Sequence, residues 1–212
     1  MFETRSRLSG RVRVIDHGRE RRLMVSGDTL SVYPLDGDWS RVEREYWWRA
    51  LTVIELPPRP TALLVGLGGG TQIHLLRRLA APRRITVIEH DPIIVRVAND
   101  WFGLDTVGKL EIVCAEAEAA VEALTRAGRR FDFIMEDAAY TDEPEAALPH
   151  LLALAPLVTP RGSLVVNRHR YGDPRVLARA LRRRFHEVRL RRVRRTGENA
   201  LICCSRPRLS RS

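Results

Sequence analysis

A few residues in this 212-residue chain stand at spacings that could do chemistry. Gly66, Gly68 and Gly70 lie in Gly66-Leu67-Gly68-Gly69-Gly70-Thr71, directly after the apolar run Ala62 to Val65. A turn with so few side chains bends tightly and lets a ligand come close to the backbone. Glu89 ends a second apolar run, Ile85 to Ile88. A carboxylate there can accept two hydrogen bonds at once, better than a neutral side chain can. Asp137 and Tyr140 follow a third apolar run, Phe131 to Met135, and Tyr46 sits upstream beside Trp47 and Trp48.

The elements that must position these residues can be read from the same stretches. Ala62 to Val65 has the length and composition of a buried parallel strand. After the glycines, Ile73, Leu76, Leu79 and Ala80 predict one face of a helix, with Arg77 and Arg78 in its last turn and Pro82 beyond. Ile85 to Ile88 is the next strand, so the whole is the βαβ unit that grips a nucleotide-like cofactor. The strict dinucleotide pattern needs glycine at 71, where Thr71 stands. The plain alternative is a bare glycine turn with a solvated acid. Strand, helix and acid falling in register disfavour it.

Further along, Asp91 and Pro92 predict the cap and first turn of a helix through Ile94, Val97, Ala98 and Trp101. Leu110 to Val113 predicts a strand ending near Glu116, and Ala117 to Ala127 a helix. Phe131 to Met135 predicts a fourth strand, Pro144 to Leu157 a loop and helix, Pro160-Arg161-Gly162 a turn, and Ser163 to Asn167 a fifth strand. A helix from Asp173 to Phe185 and a hairpin of Val188–Val193 with Asn199–Cys204 close the pattern. Upstream, alternation at Val12, Val14, Leu23 and Val25, then Leu30 to Tyr33, predicts antiparallel strands. Arg41 to Leu56 predicts one helix. The expected organisation is a small β appendage and lead-in helix over 1–56, an α/β domain over 57–205 and a loose tail over 206–212. The upstream aromatics fit either packing against the main sheet or a partial lid over an acceptor site.

Composition narrows the classes. No apolar run reaches the length needed to cross a bilayer, and the N-terminal residues lack a signal-peptide core. Three cysteines and six histidines show neither metal spacing nor a disulfide framework, so no metal is expected and a reducing cytoplasm is the expected setting. The net charge of +10 is almost all arginine, with Lys109 the sole lysine. Arg175, Arg179, Arg182, Arg183, Arg184, Arg189, Arg191, Arg192, Arg194 and Arg195 could make a basic face for nucleic acid. A solvated surface is the favoured reading of that run.

Spaced as Gly66-x-Gly68-x-Gly70, the turn resembles motif I of class I S-adenosylmethionine-dependent methyltransferases. With Val87-Ile88-Glu89-His90-Asp91-Pro92, Ala98 to Leu104, Phe131 to Asp137 and Gly162 to Asn167 in order, the chain resembles the spermidine-synthase-like branch over roughly residues 10 to 205. That resemblance implies a Rossmann-like sheet, mostly parallel, with the last strand inserted antiparallel. It implies S-adenosylmethionine as cofactor, Gly66, Gly68 and Gly70 lining its methionine part, Glu89 on the ribose and Glu116 on the adenine amino group. It implies Asp137 as the catalytic base, with Tyr140 its acceptor-site neighbour, and a homodimer; Tyr46 joins the acceptor site on the lid reading of the upstream aromatics.

Two departures bear on the reaction. Aminopropyltransferases carry a second aspartate where Tyr140 stands and an aspartate in the glycine turn where Gly68 stands. Both anchors for a polyamine reaction are absent here. The expected activity is therefore methyl transfer, to a small molecule rather than a macromolecule. Aminopropyl transfer to an amine other than putrescine is the rival enzyme, and a non-catalytic cofactor-binding or RNA-binding protein the rival of another class.

Overall fold

The computed structural model describes residues 1–138, 142–169, 173–193 and 199–208. The N-terminal segment is a four-stranded antiparallel meander of β1 (Phe2–Ser6), β2 (Gly10–His17), β3 (Glu20–Val25) and β4 (Asp28–Pro34), in that order. Period-2 alternation buries Val12, Val14 and Leu23 on one face. The first strand, with a single apolar residue at Phe2, has no such signal in the sequence.

The lead-in helix is shorter than the sequence suggests. A 3₁₀ turn spans Trp39–Arg44, Glu45 is extended, and α1 covers only Tyr46–Thr52. Asp38 caps the 3₁₀ turn by accepting from the Ser40 amide, so the chain starts one short helix and then another.

Next come β5 (Thr61–Val65), α2 (Thr71–Ala80), β6 (Arg84–Glu89), α3 (Pro92–Phe102), β7 (Leu110–Cys114), α4 (Ala117–Arg126), β8 (Phe131–Glu136), α5 (Pro144–Leu154), β9 (Val158–His169), α6 (Pro174–Leu181), β10 (Phe185–Arg192) and β11 (Asn199–Pro207). The seven strands order as β10-β11-β9-β8-β5-β6-β7. All pairings are parallel except those of β11, which is antiparallel to both β9 and β10. This is the expected α/β architecture with its antiparallel insertion.

The two faces of the sheet feed two cores. Ala62, Leu64, Phe133 and Met135 pack with Ile73, Leu76 and Val97 on one side. Leu63, Val65 and Ile134 pack with Val121, Leu151 and Leu177 on the other. On α2, Leu79 is 38% exposed rather than buried. The covered arc is centred on Thr71, Gln72, Ile73, Leu75 and Leu76, toward α1 and β4.

Three expectations at the C-terminal half change. Pro160-Arg161-Gly162 is not a turn but part of β9, where the pairing with β8 shifts register. A side chain at Gly162 would meet the Phe131 and Asp132 carbonyls at 2.9 Å, so the glycine serves that close approach. Phe185 opens β10 rather than ending α6, and β11 runs to Pro207. The described arginines of the basic run are exposed on α6, the turn after it and β10, while Arg194 and Arg195 lie outside the described residues. No helix among the described residues is long and apolar enough to cross a membrane.

Candidate cofactor and acceptor site

Open α/β sheets bind ligands beyond the carboxyl ends of their strands. Here those ends, from β5, β6, β8 and β9, face a cavity of about 500 Å³, within the size range of small-molecule sites. Gly66, Gly68, Gly70, Glu89, Glu116, Asp137 and Tyr46 all line it. Tyr140 lies outside the described residues. Among the described residues no cluster of His, Cys, Asp and Glu could hold a metal ion.

The glycine turn is fastened from two directions. Glu89 is 8% exposed, and its Oε2 accepts from the Leu67 amide at 3.1 Å while Oε1 accepts from the Asp91 amide at 2.9 Å. Each oxygen keeps a further lone pair for a ligand hydroxyl. From above, the Gly69 amide donates to Ser31 Oγ at 2.7 Å, and Thr71 Oγ1 both accepts from and donates to the main chain of Val32. The appendage is thus hydrogen-bonded to the turn as a fixed roof. Its strand β4 supplies Leu30 and Ser31 to the cavity wall.

This changes the meaning of Gly68. Its φ of +53° suits glycine, and a side chain there would meet Ser31 Oγ at 2.8 Å and the Leu30 carbonyl at 3.2 Å. Substitution therefore strikes the roof as well as the ligand space. The neighbouring amides of Leu67, Gly69 and Gly70 are also engaged within the protein, which narrows the nest available to a cofactor carboxylate. Glu116 is exposed at the start of α4, with no capping bond, and reaches the cavity at its mouth.

Asp137 sits directly after β8, fixed by its amide donating to the Val65 carbonyl at 2.9 Å. Its Oδ2 accepts from Tyr46 Oη at 2.9 Å and from Gln72 Nε2 at 3.2 Å, and its Oδ1 from Asn167 Nδ2 at 2.6 Å. Asn199 Nδ2 in turn donates to Asn167 Oδ1 at 2.9 Å. All these partners are neutral. Burial pushes the Asp137 carboxyl up to about 6, against the opposing pull of the bonds from Asn167 and Tyr46. A carboxylate poised there can exchange a proton near neutral pH.

The wall carries seven carboxylates (Asp28, Glu89, Glu116, Glu118, Glu136, Asp137 and Asp142) and, among the described residues, no arginine or lysine. Glu136 and Asp142 both interact with a buried guanidinium, that of Arg168. In a chain with 36 Lys and Arg against 26 Asp and Glu, the cavity has the opposite sign to the whole. It favours a cationic occupant.

Several of these groups were not predicted. Gln72 had a local signal, two residues past the glycine turn, and Asn167 ends a strand beside Asp137. Ser31 and Asn199 had none, because each reaches the site through strand pairing across the fold.

No protein-family model matches the chain. It is 32% identical over 117 residues to the eEF1A lysine and N-terminal methyltransferase of Danio rerio, covering 50% of this chain and 17% of that protein. The chain thus spans about a sixth of that relative's length. The crystal structure of a probable spermidine synthase from Corynebacterium glutamicum superposes with a TM-score of 0.77 at 17% identity, covering 96% of this chain and 79% of the other. Human methyltransferase-like protein 13, solved in complex with SAH, gives 0.63 at 21% identity, covering 80% and 85%. The chain has the class I methyltransferase fold, which these methyltransferase and spermidine synthase structures share.

Proposed function

We propose that the protein is an S-adenosylmethionine-dependent methyltransferase acting on an amine. The observation that carries this is the acid-lined cavity with Asp137 at its inner end, held among the described residues by neutral donors. The cofactor, when bound, supplies an electrophilic methyl group on a cationic sulfur. The residues fit it: Glu89 is already oriented for a ribose, and the glycine turn leaves the adjoining space open. Glu116 is the candidate for the base.

This chain's own work is on the acceptor. The carboxylates draw in a protonated amine, and the ionised Asp137 removes its proton, since only the free lone pair can displace the methyl group. Gln72, Tyr46 and Asn167 hold the carboxylate so that one geometry serves both proton removal and alignment. Tyr140 is proposed to flank the acceptor. The zebrafish relative is named for a lysine and an N-terminus, both amines of a protein, which supports a protein-borne amine over the small molecule expected from sequence. A homodimer in the cytoplasm belongs to the same proposal, by resemblance.

Aminopropyl transfer retains one favourable observation. The decarboxylated cofactor carries an extra net positive charge, which an acidic cavity also accepts. Competition calorimetry separates the two readings. Tighter binding of intact S-adenosylmethionine is expected, because the turn lacks an aspartate at 68 to repel its carboxylate. Tighter binding of the decarboxylated form would overturn methyl transfer.

A further inference from the structure

The polar groups beside Asp137 continue one strand further across the sheet. Met135, Val165 and Leu201 belong to the apolar face that packs against α2, and Leu201 pairs with Asn167. Side chains alternate along a strand, so Asp137, Asn167 and Asn199, each two residues from one of these, come up on that same face. They form a row. Asn199 Nδ2 donates to Asn167 Oδ1 at 2.9 Å, and Asn167 Nδ2 donates to Asp137 Oδ1 at 2.6 Å.

Asn167 is 1% exposed, so both ends of its amide need partners within the fold. Among the described residues, its Oδ1 has one, Asn199. A carboxamide turned end for end keeps its shape but exchanges a donor for an acceptor. Turned so, Asn167 would set its oxygen against that of an ionised Asp137, acceptor facing acceptor. Only a protonated carboxyl, with an O–H to donate, fits that arrangement. The bond from Asn199 opposes the reversal by occupying Oδ1 on the far side. Resting on the reading of Asp137 as the base, we infer that Asn199 is a positioning residue: by holding Asn167 Oδ1 it keeps Nδ2 on the carboxylate and favours the ionised, proton-accepting form.

The other surroundings of Asp137 leave this control to the row. Among the described residues, Tyr46 on α1 is the one other titratable side chain bonded to it, and Gln72 on α2 is neutral. Glu136 turns to the opposite face, where its Oε1 accepts from the Ala138 amide at 3.0 Å and Arg168 and His150 are its neighbours. Glu89 is bound at the glycine turn.

The test is a ¹³C titration of the Asp137 carboxyl by NMR in the parent, Asn199→Leu, Asn167→Ala and the double variant. Asn199→Leu removes the donor at similar volume. Its Asp137 midpoint should lie above the parent's by up to about one pH unit, the scale of one neutral hydrogen bond. In the Asn167→Ala background the same substitution should add less than about a third of that shift, because the link is already cut. In the parent, the Asn167 side-chain amide ¹⁵N resonance should titrate with the same midpoint as Asp137, a readout that needs no variant. An unchanged midpoint in Asn199→Leu, an equal shift in both backgrounds, or an Asn167 amide that does not follow Asp137 would overturn this inference alone. A parent carboxyl that titrates at its ordinary value of 3.8 would overturn the reading of Asp137 as a poised base.

Discussion

Two carboxylates at the ends of neighbouring parts of one sheet are held in opposite ways. Glu89, the last residue of β6, is bound by main-chain amides: Leu67 in the glycine turn and Asp91 at the cap of α3. Asp137, after β8, is bound by three side chains from α1, α2 and β9. Backbone amides cannot rotate away, so Glu89 is a fixed acceptor that also locks the turn. Side-chain donors can readjust, and burial has already moved Asp137 toward neutrality. One acid suits holding a ligand and the other suits exchanging a proton.

The largest expected effect comes from removing the exchangeable proton site. Asp137→Asn should lower turnover about 10²–10⁴-fold while leaving cofactor affinity unchanged. Steady-state kinetics and calorimetry on the same preparation check this. Equal turnover would make Asp137 structural and dissolve the contrast.

Glu89→Ala should do the reverse, weakening cofactor binding by about ten- to a hundred-fold or more. It should also cost roughly 1–3 kcal/mol of stability, because the amides of Leu67 and Asp91 lose their partner. A folded variant with undiminished affinity would remove Glu89 from the cofactor site.

The third effect is on pH dependence. Asp137 has an ordinary value of 3.8 and a folded value of about 6, so the folded protein holds that proton more tightly than the unfolded chain. Ionising it therefore subtracts stability as pH rises from about 4 to about 6, and the loss persists above. Across that window Asp137→Asn should gain on the parent by up to about 3 kcal/mol, less to the extent that cavity water screens the carboxylate. Turnover should fall below about pH 6 as Asp137 protonates. A flat stability difference between pH 4 and 7 in denaturant titrations would mean that the carboxyl is not perturbed.

The smallest effect sharpens the same point. Tyr46→Phe deletes a donor that lowers the Asp137 value, so the acid limb of the rate profile should move to higher pH by under about one unit. An unmoved limb would mean that the bond from Tyr46 does not act on the base.

Much of the cofactor side was legible because it is local. A strand, a glycine turn, a helix and an acid lie within about thirty residues, and each has its own propensity signal. The fixed roof was not legible. Ser31 and Gly69 are 38 positions apart, and a polar residue in an alternating strand carries no mark of its partner. Glycine and proline at 160–162 read as a turn by their usual meaning, while the structure uses Gly162 for a close backbone approach inside a bulged strand.

The central claim, methyl transfer to an amine, is tested most directly by product mass. The purified chain would be incubated with S-adenosylmethionine and lysine-bearing proteins, and in parallel with its decarboxylated form and the same acceptors. The account predicts methyl groups on amine nitrogens in the first reaction, lost in Asp137→Asn, and no adduct in the second. Aminopropyl adducts in the second reaction, with none in the first, would contradict it.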